Sequence, residues 1–283
     1  MRVGVLYSRV RLEEKLIFQA VRERGGDLER IDARRVTFDL NGARARGCDV
    51  VLIRCLSHSR ALYAARLLQM QGVKTVNGYE TIATCGDKVL TTLALAERGV
   101  PTPRTAVALA EEAAPAVLEV IGYPAVLKPP VGSWGRLMAK VNDREAAEAL
   151  VEHKRALSRA QEIPFYVQRY VEKPERDIRT LVVGDETVYA VYRHSRHWIT
   201  NTARGGSVSR LELTPEIDRL SRAAAQAVGG GIVAVDILES PDGSLLVNEV
   251  NHTPEFHGAK EATDADIAGK MVDYVLEIAK ERV

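Results

Sequence analysis

The spacing of apolar residues in the N-terminal part of the chain predicts alternating strands and helices. Val3 to Tyr7 is an apolar run with the length of a buried strand, and helical spacing from Glu13 to Arg24 ends at Gly25-Gly26. The same two patterns recur as a strand over Asp49–Ile53 and a helix over Ser59–Gln71, which Gly72 ends. Strands that alternate with helices form α/β layers, so a small α/β unit is expected here.

A second unit begins with a helix near residue 85. Thr84 or Asp87 can cap this helix, its apolar positions recur to Leu95, and Gly99 before Pro101 ends it. Lys88 falls in the first turn, where the helix dipole repels a positive charge. Taken alone, such a lysine is a solvated surface residue.

The segment from 123 to 141 predicts two strands, Ala125–Lys128 and Arg136–Val141, joined by a glycine-containing loop. Gly132 and Gly135 allow the backbone amides of the loop to turn toward a ligand, and Ser133 adds a hydroxyl donor. Lys128 can supply a positive charge. No GK[ST] follows the glycines, so the loop is not a Walker A motif. A phosphate-binding loop and a hairpin with a large turn both fit the spacing.

Three further strands are predicted between residues 165 and 193, over Phe165–Val171, Ile178–Val183 and Thr187–Arg193. Where the first of these opens into the polar segment 172–176, its free backbone groups could face an adenine edge. Asp177 and Arg179 lie on the same face of a strand, because side chains alternate with a period of two. Taken alone, these two residues are interpreted as an ion pair on the surface.

Residues 194–210 are rich in Gly, Ser, Thr and Arg, and they predict a long loop of the lid or binding type. His194 and His197 have no third ligand nearby, so a zinc site is not favoured. Arg204, followed by Gly205-Gly206, is suited to an anionic substrate or intermediate.

A hairpin follows, with strands over Ile232–Leu238 and Ser244–Val250 around a Pro-Asp-Gly turn. Asp236 can lie opposite Glu249, and Asn251 shares a face with Glu249. Two carboxylates and a carboxamide oxygen are hard ligands that suit Mg²⁺ bridging substrate phosphates. The apolar residues next to them on both strands are predicted to be buried, which argues against the alternative that the three polar residues only face solvent.

Composition narrows the class of protein. The chain has 283 residues and a net charge of +1, so it lacks the basic field of a nonspecific nucleic-acid binder, and no nucleic acid is expected as a partner. Three cysteines without a CxxC pair argue against a disulfide framework or structural zinc and favour a cytoplasmic setting. No membrane span and no signal peptide are predicted. The first strand is followed by SRVRLEE, without the glycines of a dinucleotide-binding turn.

The order of these features resembles the RimK-type ATP-grasp ligases. It runs from Lys88 and Lys128 through SWGR, QRYVEKPERDIR and TNTARGG to Asp236 and NEVN. Within that family it is most similar to the branch of LysX and ArgX, which join α-aminoadipate or glutamate to the small acidic carrier protein LysW. The resemblance covers essentially the whole chain.

The resemblance implies an α/β fold with α+β subdomains, namely an ATP-grasp fold behind an N-terminal Rossmann-like pre-ATP-grasp domain. The implied division places the pre-ATP-grasp domain in 1–83. A central subdomain with a mobile phosphate loop follows in 84–167, and a C-terminal subdomain with the metal site in 168–283.

The resemblance also assigns roles to single residues. Lys88 and Lys128 would hold the ATP phosphates, Asp177 would lie near the ribose, and Arg193 and Asn201 would approach the phosphates. The phosphate loop would comprise Gly132, Ser133, Trp134, Gly135 and Arg136. The adenine hinge would comprise Gln168, Arg169, Tyr170 and Val171. The substrate site would comprise Arg179, His197, Thr200, Asn201, Thr202, Arg204, Gly205, Gly258 and Ala259. The metal ligands would be Asp236, Glu249 and Asn251, and the catalytic residues Arg204, Lys128 and Arg193.

The implied reaction is ATP-dependent and ADP-forming. Magnesium, expected as two ions with Mn²⁺ as an alternative, and the lysines would neutralise the phosphates while the C-terminal glutamate of the carrier becomes an acyl phosphate. The α-amino group of the amino acid would then attack, and Arg204 would stabilise the oxyanion. A homo-oligomer, dimer or tetramer, is also expected.

Two alternatives remain open, a ligase that adds glutamate to another protein tail and a non-catalytic ATP-binding module. The choice of amino acid is open as well. After Phe256 the aminoadipate enzymes carry Asn and then Thr, Ala or Ser, whereas the glutamate enzymes tend to have Gly-Phe. This chain has Gly258-Ala259, which agrees half with each type.

Overall fold

The computed structural model describes residues 1–40, 47–132, 135–157, 164–200 and 206–281. In this part of the chain the strands form three sheets, of four, four and five strands. An N-terminal, a central and a C-terminal unit can therefore be distinguished, each with one sheet.

The N-terminal unit is a parallel sheet with helices, as the apolar pattern predicted. Its strand order is β2-β1-β3-β4, with β1 paired in parallel with both β2 and β3. Its elements are β1 (Arg2–Tyr7), α1 (Leu12–Glu23), β2 (Asp27–Asp32), β3 (Val50–Arg54), α2 (His58–Met70), β4 (Lys74–Val76) and α3 (Tyr79–Gly86). Strand β2 was not predicted, because this edge strand buries only Ile31 and so has no apolar run.

The central unit is an antiparallel sheet with the order β5-β8-β6-β7. Its elements are α4 (Lys88–Glu97), β5 (Thr105–Ala108), a 3₁₀ turn (Glu111–Ala113), α5 (Ala114–Ile121), β6 (Ala125–Lys128), β7 (Ala139–Val141), α6 (Arg144–Leu157) and β8 (Phe165–Arg169). The strand predicted over Arg136–Val141 was too long. Arg136 and Leu137 belong to a turn, in which Leu137 has a φ of 58°.

The C-terminal unit is a five-stranded sheet with the order β11-β10-β9-β12-β13. Its elements are β9 (Arg176–Val183), β10 (Glu186–His194), β11 (Ser207–Leu211), α7 (Pro215–Ala227), β12 (Ile232–Glu239), β13 (Leu245–Asn251), α8 (His257–Ala262) and α9 (Ile267–Lys280). The prediction of a continuous loop over 194–210 was wrong at its end. Ser207–Leu211 pairs antiparallel with β10, because the polar SVSRL segment serves as an edge strand.

One shared core fixes the N-terminal and C-terminal units against each other. Val3, Val5 and Ile17 of the first unit pack in the same buried cluster as Leu181 of β9 and Met271 of α9. The carboxyl ends of β1 and β3 are thereby held facing the C-terminal sheet. A cleft between the units results, and it contains the candidate site described below.

Two further features of the fold concern the cysteines and the helices. Cys48, Cys55 and Cys85 are all buried and free, so no disulfide framework exists. Among the described residues, no helix is both long and apolar enough to cross a membrane.

Candidate functional site

Residues of all three units line a cavity of about 270 Å³ in the cleft. Of the residues predicted for the site, the cavity wall contains Lys88, Lys128, Gly132, Gly135, Gln168, Arg169, Tyr170, Val171, Asp177, Arg179, Arg193, Thr200, Asp236, Glu249 and Asn251. Parts of the chain that are far apart in sequence therefore meet in one space.

Lys128 is a buried cation at the end of β6. Its Nζ donates hydrogen bonds to Gln168 Oε1 at 2.7 Å and to Asn248 Oδ1 at 2.9 Å. Burial lowers the pKa of Lys128 to about 8, a net value that includes the opposing effects of Glu249 and Asp236 and a smaller lowering by the charge of Lys88. Both hydrogen-bond partners are neutral amides, so an incoming anion would supply a countercharge that these partners do not provide.

Lys88 is the first residue of α4, at the positive end of the helix dipole. Asp87 caps the helix by accepting from Val89 N at 2.8 Å and from Leu90 N at 3.3 Å. The Nζ of Lys88 donates to Gly132 O at 2.8 Å and lies 3.9 Å from Glu249 Oε1. The unfavourable position of this lysine is therefore explained by its place beside the glycine loop, where an anion would meet both the lysine and the helix N-terminus.

Two arginines hold the acidic groups on the floor of the cavity. Arg193 binds Asp177 through two hydrogen bonds of 2.7 and 2.9 Å, and Arg179 binds Asp236 through two of 2.7 and 2.8 Å. Nη2 of Arg193 also lies 3.2 Å from Asp236 Oδ2. Asp177 and Arg179 were interpreted from the sequence as a surface ion pair. In the structure they do not pair with each other, because Asp177 pairs with Arg193 and Arg179 pairs with Asp236, each across neighbouring strands.

The predicted metal ligands lie on β12 and β13, the last two strands in the order of the C-terminal sheet. Asp236 of β12 is directly opposite Glu249 of β13, as the hairpin predicted, and Asn251 pairs with Ala234. The Nδ2 atom of Asn251 is buried without a hydrogen-bond partner, so the protein alone does not satisfy this side chain.

The donor set fits Mg²⁺ better than zinc. Across the described residues no cluster of three or more His, Cys, Asp or Glu side chains could hold a metal. Two carboxylates and one carboxamide are an incomplete set of hard oxygen donors, and phosphate oxygens of a nucleotide can complete it. His194 and His197 are engaged elsewhere, with Ser209 Oγ at 2.8 Å and with Ile199 N at 3.0 Å.

The segment expected to bind adenine is partly used by the protein itself. The side chain of Gln168 is buried against Lys128, and the backbone N–H groups of Arg169 and Tyr170 donate to Arg104 O at 2.8 Å and to Pro124 O at 3.0 Å. Backbone groups for an adenine edge are therefore expected from Val171 onward.

The wall of the cavity has an apolar part that sequence reasoning missed. It comprises Val126, Met138, Trp198, Ile199 and Leu238. Two of these positions had a signal in the sequence, because Val126 and Leu238 are two residues from Lys128 and Asp236 and so share their strand faces. Apolar and aromatic walls with a few polar groups are typical of sites for flat heterocycles.

The glycine loop contacts a second loop above the cavity. Gly135 has a φ of +63°, and a Cβ added there would lie only 2.7 Å from Ile199 Cγ2. Close approach between the two loops thus requires glycine at this position.

The structure does not place the remaining predicted residues in the cavity wall. Ser133, Trp134, Asn201, Thr202, Arg204 and Gly205 lie outside the described residues. Arg136, His197, Gly258 and Ala259 are described but are not part of the cavity wall. Ala259 is buried in the core, and a Cβ on Gly258 would lie 2.9 Å from Val208 Cγ2.

Comparison with known proteins assigns the chain to a family. The LysX preATP-grasp domain matches residues 3–84, and the RimK-like ATP-grasp domain matches residues 85–275. The chain belongs to the RimK-like ATP-grasp family. The expected fold and enzyme class are thereby confirmed.

Members of the RimK-like family resemble this chain over its whole length. A glutamate–LysW ligase, ArgX of Sulfurisphaera tokodaii, is 37% identical and is matched over 98% of this chain and 99% of its own. The α-aminoadipate–LysW ligase LysX of the same organism is 30% identical, over 99% and 100%. The crystal structure of a RimK domain ATP-grasp protein from Sphaerobacter thermophilus superposes with a TM-score of 0.79 at 26% identity, over 98% and 100%.

Membership of the RimK-like ATP-grasp family explains the charge pattern of the cavity. The family uses ATP with Mg²⁺, so a site with buried cations beside an acidic corner is the expected arrangement. Sequence reasoning also missed a second group of wall residues, which follow β3 and β13. It comprises Leu56, His58, His252, Thr253, Pro254 and Glu255.

Proposed function

We propose that this chain is an ATP-dependent ligase that joins the C-terminal glutamate of a small acidic carrier protein to the α-amino group of glutamate or α-aminoadipate. One observation carries the proposal: Lys128 and the Asp236, Glu249 and Asn251 triad face the same cavity in a chain that resembles LysW ligases over its full length.

The cations of the site would bring two anions together. A carboxylate that attacks the γ-phosphorus of ATP must approach a polyanion, and Lys88 and Lys128 lower that repulsion. Mg²⁺ held by Asp236, Glu249 and Asn251, proposed here as two ions, would neutralise phosphate charge and align the phosphates.

The proposed reaction has two steps. A carboxylate oxygen of the carrier forms a bond to the γ-phosphorus while the bond from phosphorus to the β,γ-bridging oxygen breaks, which releases ADP. The amine nitrogen then attacks the acyl carbon, inorganic phosphate leaves with the carbon–oxygen electron pair, and the nitrogen loses a proton. Arg204 is proposed to stabilise the oxyanion of this second step, and Arg193, held in position by Asp177, to contact the phosphates.

The wall residues around His58 and Glu255 are proposed to hold the amino acid and the carrier tail. They lie at the carboxyl ends of β1 and β3, where the strand order of the N-terminal sheet reverses, and such crevices are preferred ligand sites in open α/β sheets. The same three-sheet layout supports a proposed division into three units near 1–83, 84–167 and 168–283, with the second boundary shifted to follow β8 (Phe165–Arg169), which belongs to the central sheet.

Glutamate is the first amino acid to test. ArgX of Sulfurisphaera tokodaii, named for glutamate, shares 37% identity with this chain, and LysX of the same organism, named for α-aminoadipate, shares 30%. Gly258 and Ala259 would influence this choice through packing. Gly258 lies against Val208 of β11, and Val208 belongs to the segment 194–210 that was predicted as a binding loop.

The experiment is ADP release from ATP, measured with carrier, amino acid and Mg²⁺ present and with each left out in turn. The proposal predicts release that requires all three. Release without any carrier or amino acid would contradict it, and release that needs a free amino acid but no carrier would indicate a ligase of small molecules.

A further inference from the structure

The side chain of Asn77 joins two segments of the C-terminal sheet to the N-terminal unit. Its Nδ2 donates to Ile232 O and to His252 O, both at 2.8 Å, and its Oδ1 accepts from Ile232 N at 2.7 Å. Asn77 is buried and directly follows β4. All its donors and one acceptor position are thus used on backbone groups of another unit.

These contacts continue a strand ladder that would otherwise end. The pairing of β12 with β13 stops at Ala234 and Asn251. On the other side of β12, Gly184 N donates to Gly231 O at 2.9 Å, so the N–H and C=O of Ile232 face the side where β13 has ended. Asn77 provides the hydrogen bonds that a further residue of β13 would have provided.

Gly231 leaves the space that the side chain of Asn77 occupies. Gly231 has a φ of +96°, and a Cβ there would lie 2.1 Å from Asn77 Oδ1. Only glycine fits this position without displacing the carboxamide.

The position of the contacts relative to the metal ligands suggests their purpose. His252, whose carbonyl accepts from Asn77, directly follows Asn251, and Ile232 begins the strand that carries Asp236. The carboxamide nitrogen of Asn251 has no partner of its own, so backbone contacts must set the position of this ligand. Residues that orient ligands without touching the metal typically change metal affinity by about 10- to 100-fold when replaced.

We propose that Asn77 is a positioning residue for the metal–nucleotide site, acting from the N-terminal unit through the backbone at Ile232 and His252. The inference rests on the proposed function, because it presupposes that Asp236, Glu249 and Asn251 bind Mg²⁺ together with a nucleotide. It adds that the pre-ATP-grasp unit sets the affinity of that site for the metal.

The test is calorimetric binding of ADP to the full chain, once with excess Mg²⁺ and once with EDTA. Asn77→Leu keeps nearly the same shape and removes every hydrogen bond, and Gly231→Ala keeps the carboxamide but displaces it. Both variants are expected to bind Mg-ADP about tenfold more weakly. Binding of ADP without metal should stay within about twofold of the parent chain, because the lysines are unchanged.

A control separates positioning from a general loss of stability. Ser221→Ala removes another buried hydrogen bond, from Thr180 Oγ1 to Ser221 Oγ at 2.9 Å, between β9 and α7. It should lower the melting temperature and leave the Mg²⁺ dependence of ADP binding intact. If Asn77→Leu does not fold, the milder Asn77→Ser and Gly231→Ala decide.

The outcomes distinguish the inference from the function on which it rests. Folded Asn77 variants that bind Mg-ADP as tightly as the parent chain would overturn the positioning role. A parent chain whose ADP binding is indifferent to Mg²⁺ would instead contradict the proposed function itself.

Discussion

Arg179 binds the carboxylate of Asp236 through both oxygens, with its Nε at 2.7 Å and its Nη2 at 2.8 Å. The two residues are direct neighbours in the register of β9 and β12. Burial alone would raise the pKa of Asp236, but Arg179 and Arg193 outweigh it and hold that pKa at about 2. The acid is therefore ionised at neutral pH, which a metal ligand must be.

Removing Arg179 should destabilise the fold. Arg179→Met leaves a buried carboxylate with only the contact from Arg193, and breaking a buried ion pair by removing one partner costs about 3–5 kcal/mol. Urea denaturation at neutral pH should show a loss of free energy of unfolding of about 3 kcal/mol. A loss below about 0.5 kcal/mol would show that Arg179 is not needed as a countercharge.

The double variant Arg179→Met/Asp236→Asn is the matched control. It removes the charge left behind by the single change, so it should recover part of the lost stability. A double variant that is less stable than Arg179→Met would contradict the electrostatic explanation.

Glu249→Gln is the cleanest test of the metal ligands. Glu249 is partly exposed, and its Oε1 lies 3.9 Å from Lys88 Nζ. The variant should therefore fold normally yet lose Mg²⁺-dependent turnover by at least about 100-fold. This is the upper end of the loss seen when residues that only support metal ligands are replaced, and a ligand itself should matter at least as much. Asp236→Asn is less informative, because it also weakens the contacts of two arginines. Normal turnover in a folded Glu249→Gln chain would remove this residue from the site.

Nucleotide binding should depend on pH through Lys128. Burial lowers the pKa of this lysine to about 8, so its ammonium is charged below about pH 8 and neutral above it. The affinity of the free protein for ADP should therefore fall as the pH rises through about 8. Lys128→Arg keeps its charge across this range and should show no such fall. An identical pH profile in both proteins would contradict the assignment.

Features that lie within one stretch of sequence were predictable. The turn and the period of two predicted that Asp236 faces the region of Glu249, and the structure pairs the two residues. The exact partner depends on a β-bulge between Asp236 and Ile237, because a regular hairpin would place Asn248 opposite Asp236. The strand over Ala125–Lys128 has the predicted bounds, because an apolar run that ends in a lysine defines both limits. Local chemistry therefore determines the bounds of this strand, whereas the bulge beside Asp236 was not predicted.

Features that depend on how separate units pack were not predictable. Nothing in the sequence indicates that Arg193 binds Asp177, or that Lys128 is buried, because the partners come from other strands. The wall residues His58 and His252 meet only after the N-terminal and C-terminal units dock. The polar strand β11 escaped notice since an edge strand needs no apolar face.

Gly135→Ala should loosen the contact between the loops above the cavity. The change strains a left-handed backbone by about 1 kcal/mol and places a methyl group against Ile199. We expect ADP release to become less tightly coupled to ligation, because water gains access to the acyl phosphate. The ratio of ADP released to amide formed measures this effect.

Gly132→Ala is the control for that change in the same loop. A Cβ there would lie 3.1 Å from Pro129 Cγ, and Gly132 is not in the left-handed region. Its effect on the ratio should be smaller than that of Gly135→Ala. Equal ratios in both variants and the parent chain would rule out a role for the loop contact.

The most direct measurement is the mass of a small acidic carrier protein ending in glutamate after incubation with this chain, ATP, Mg²⁺ and glutamate or α-aminoadipate. We expect a carrier that is heavier by one amino-acid residue, attached by an amide at its C-terminal glutamate, with one ADP released for each carrier modified. An unmodified carrier with either amino acid, in the presence of a chain that binds Mg-ADP normally, would contradict the account.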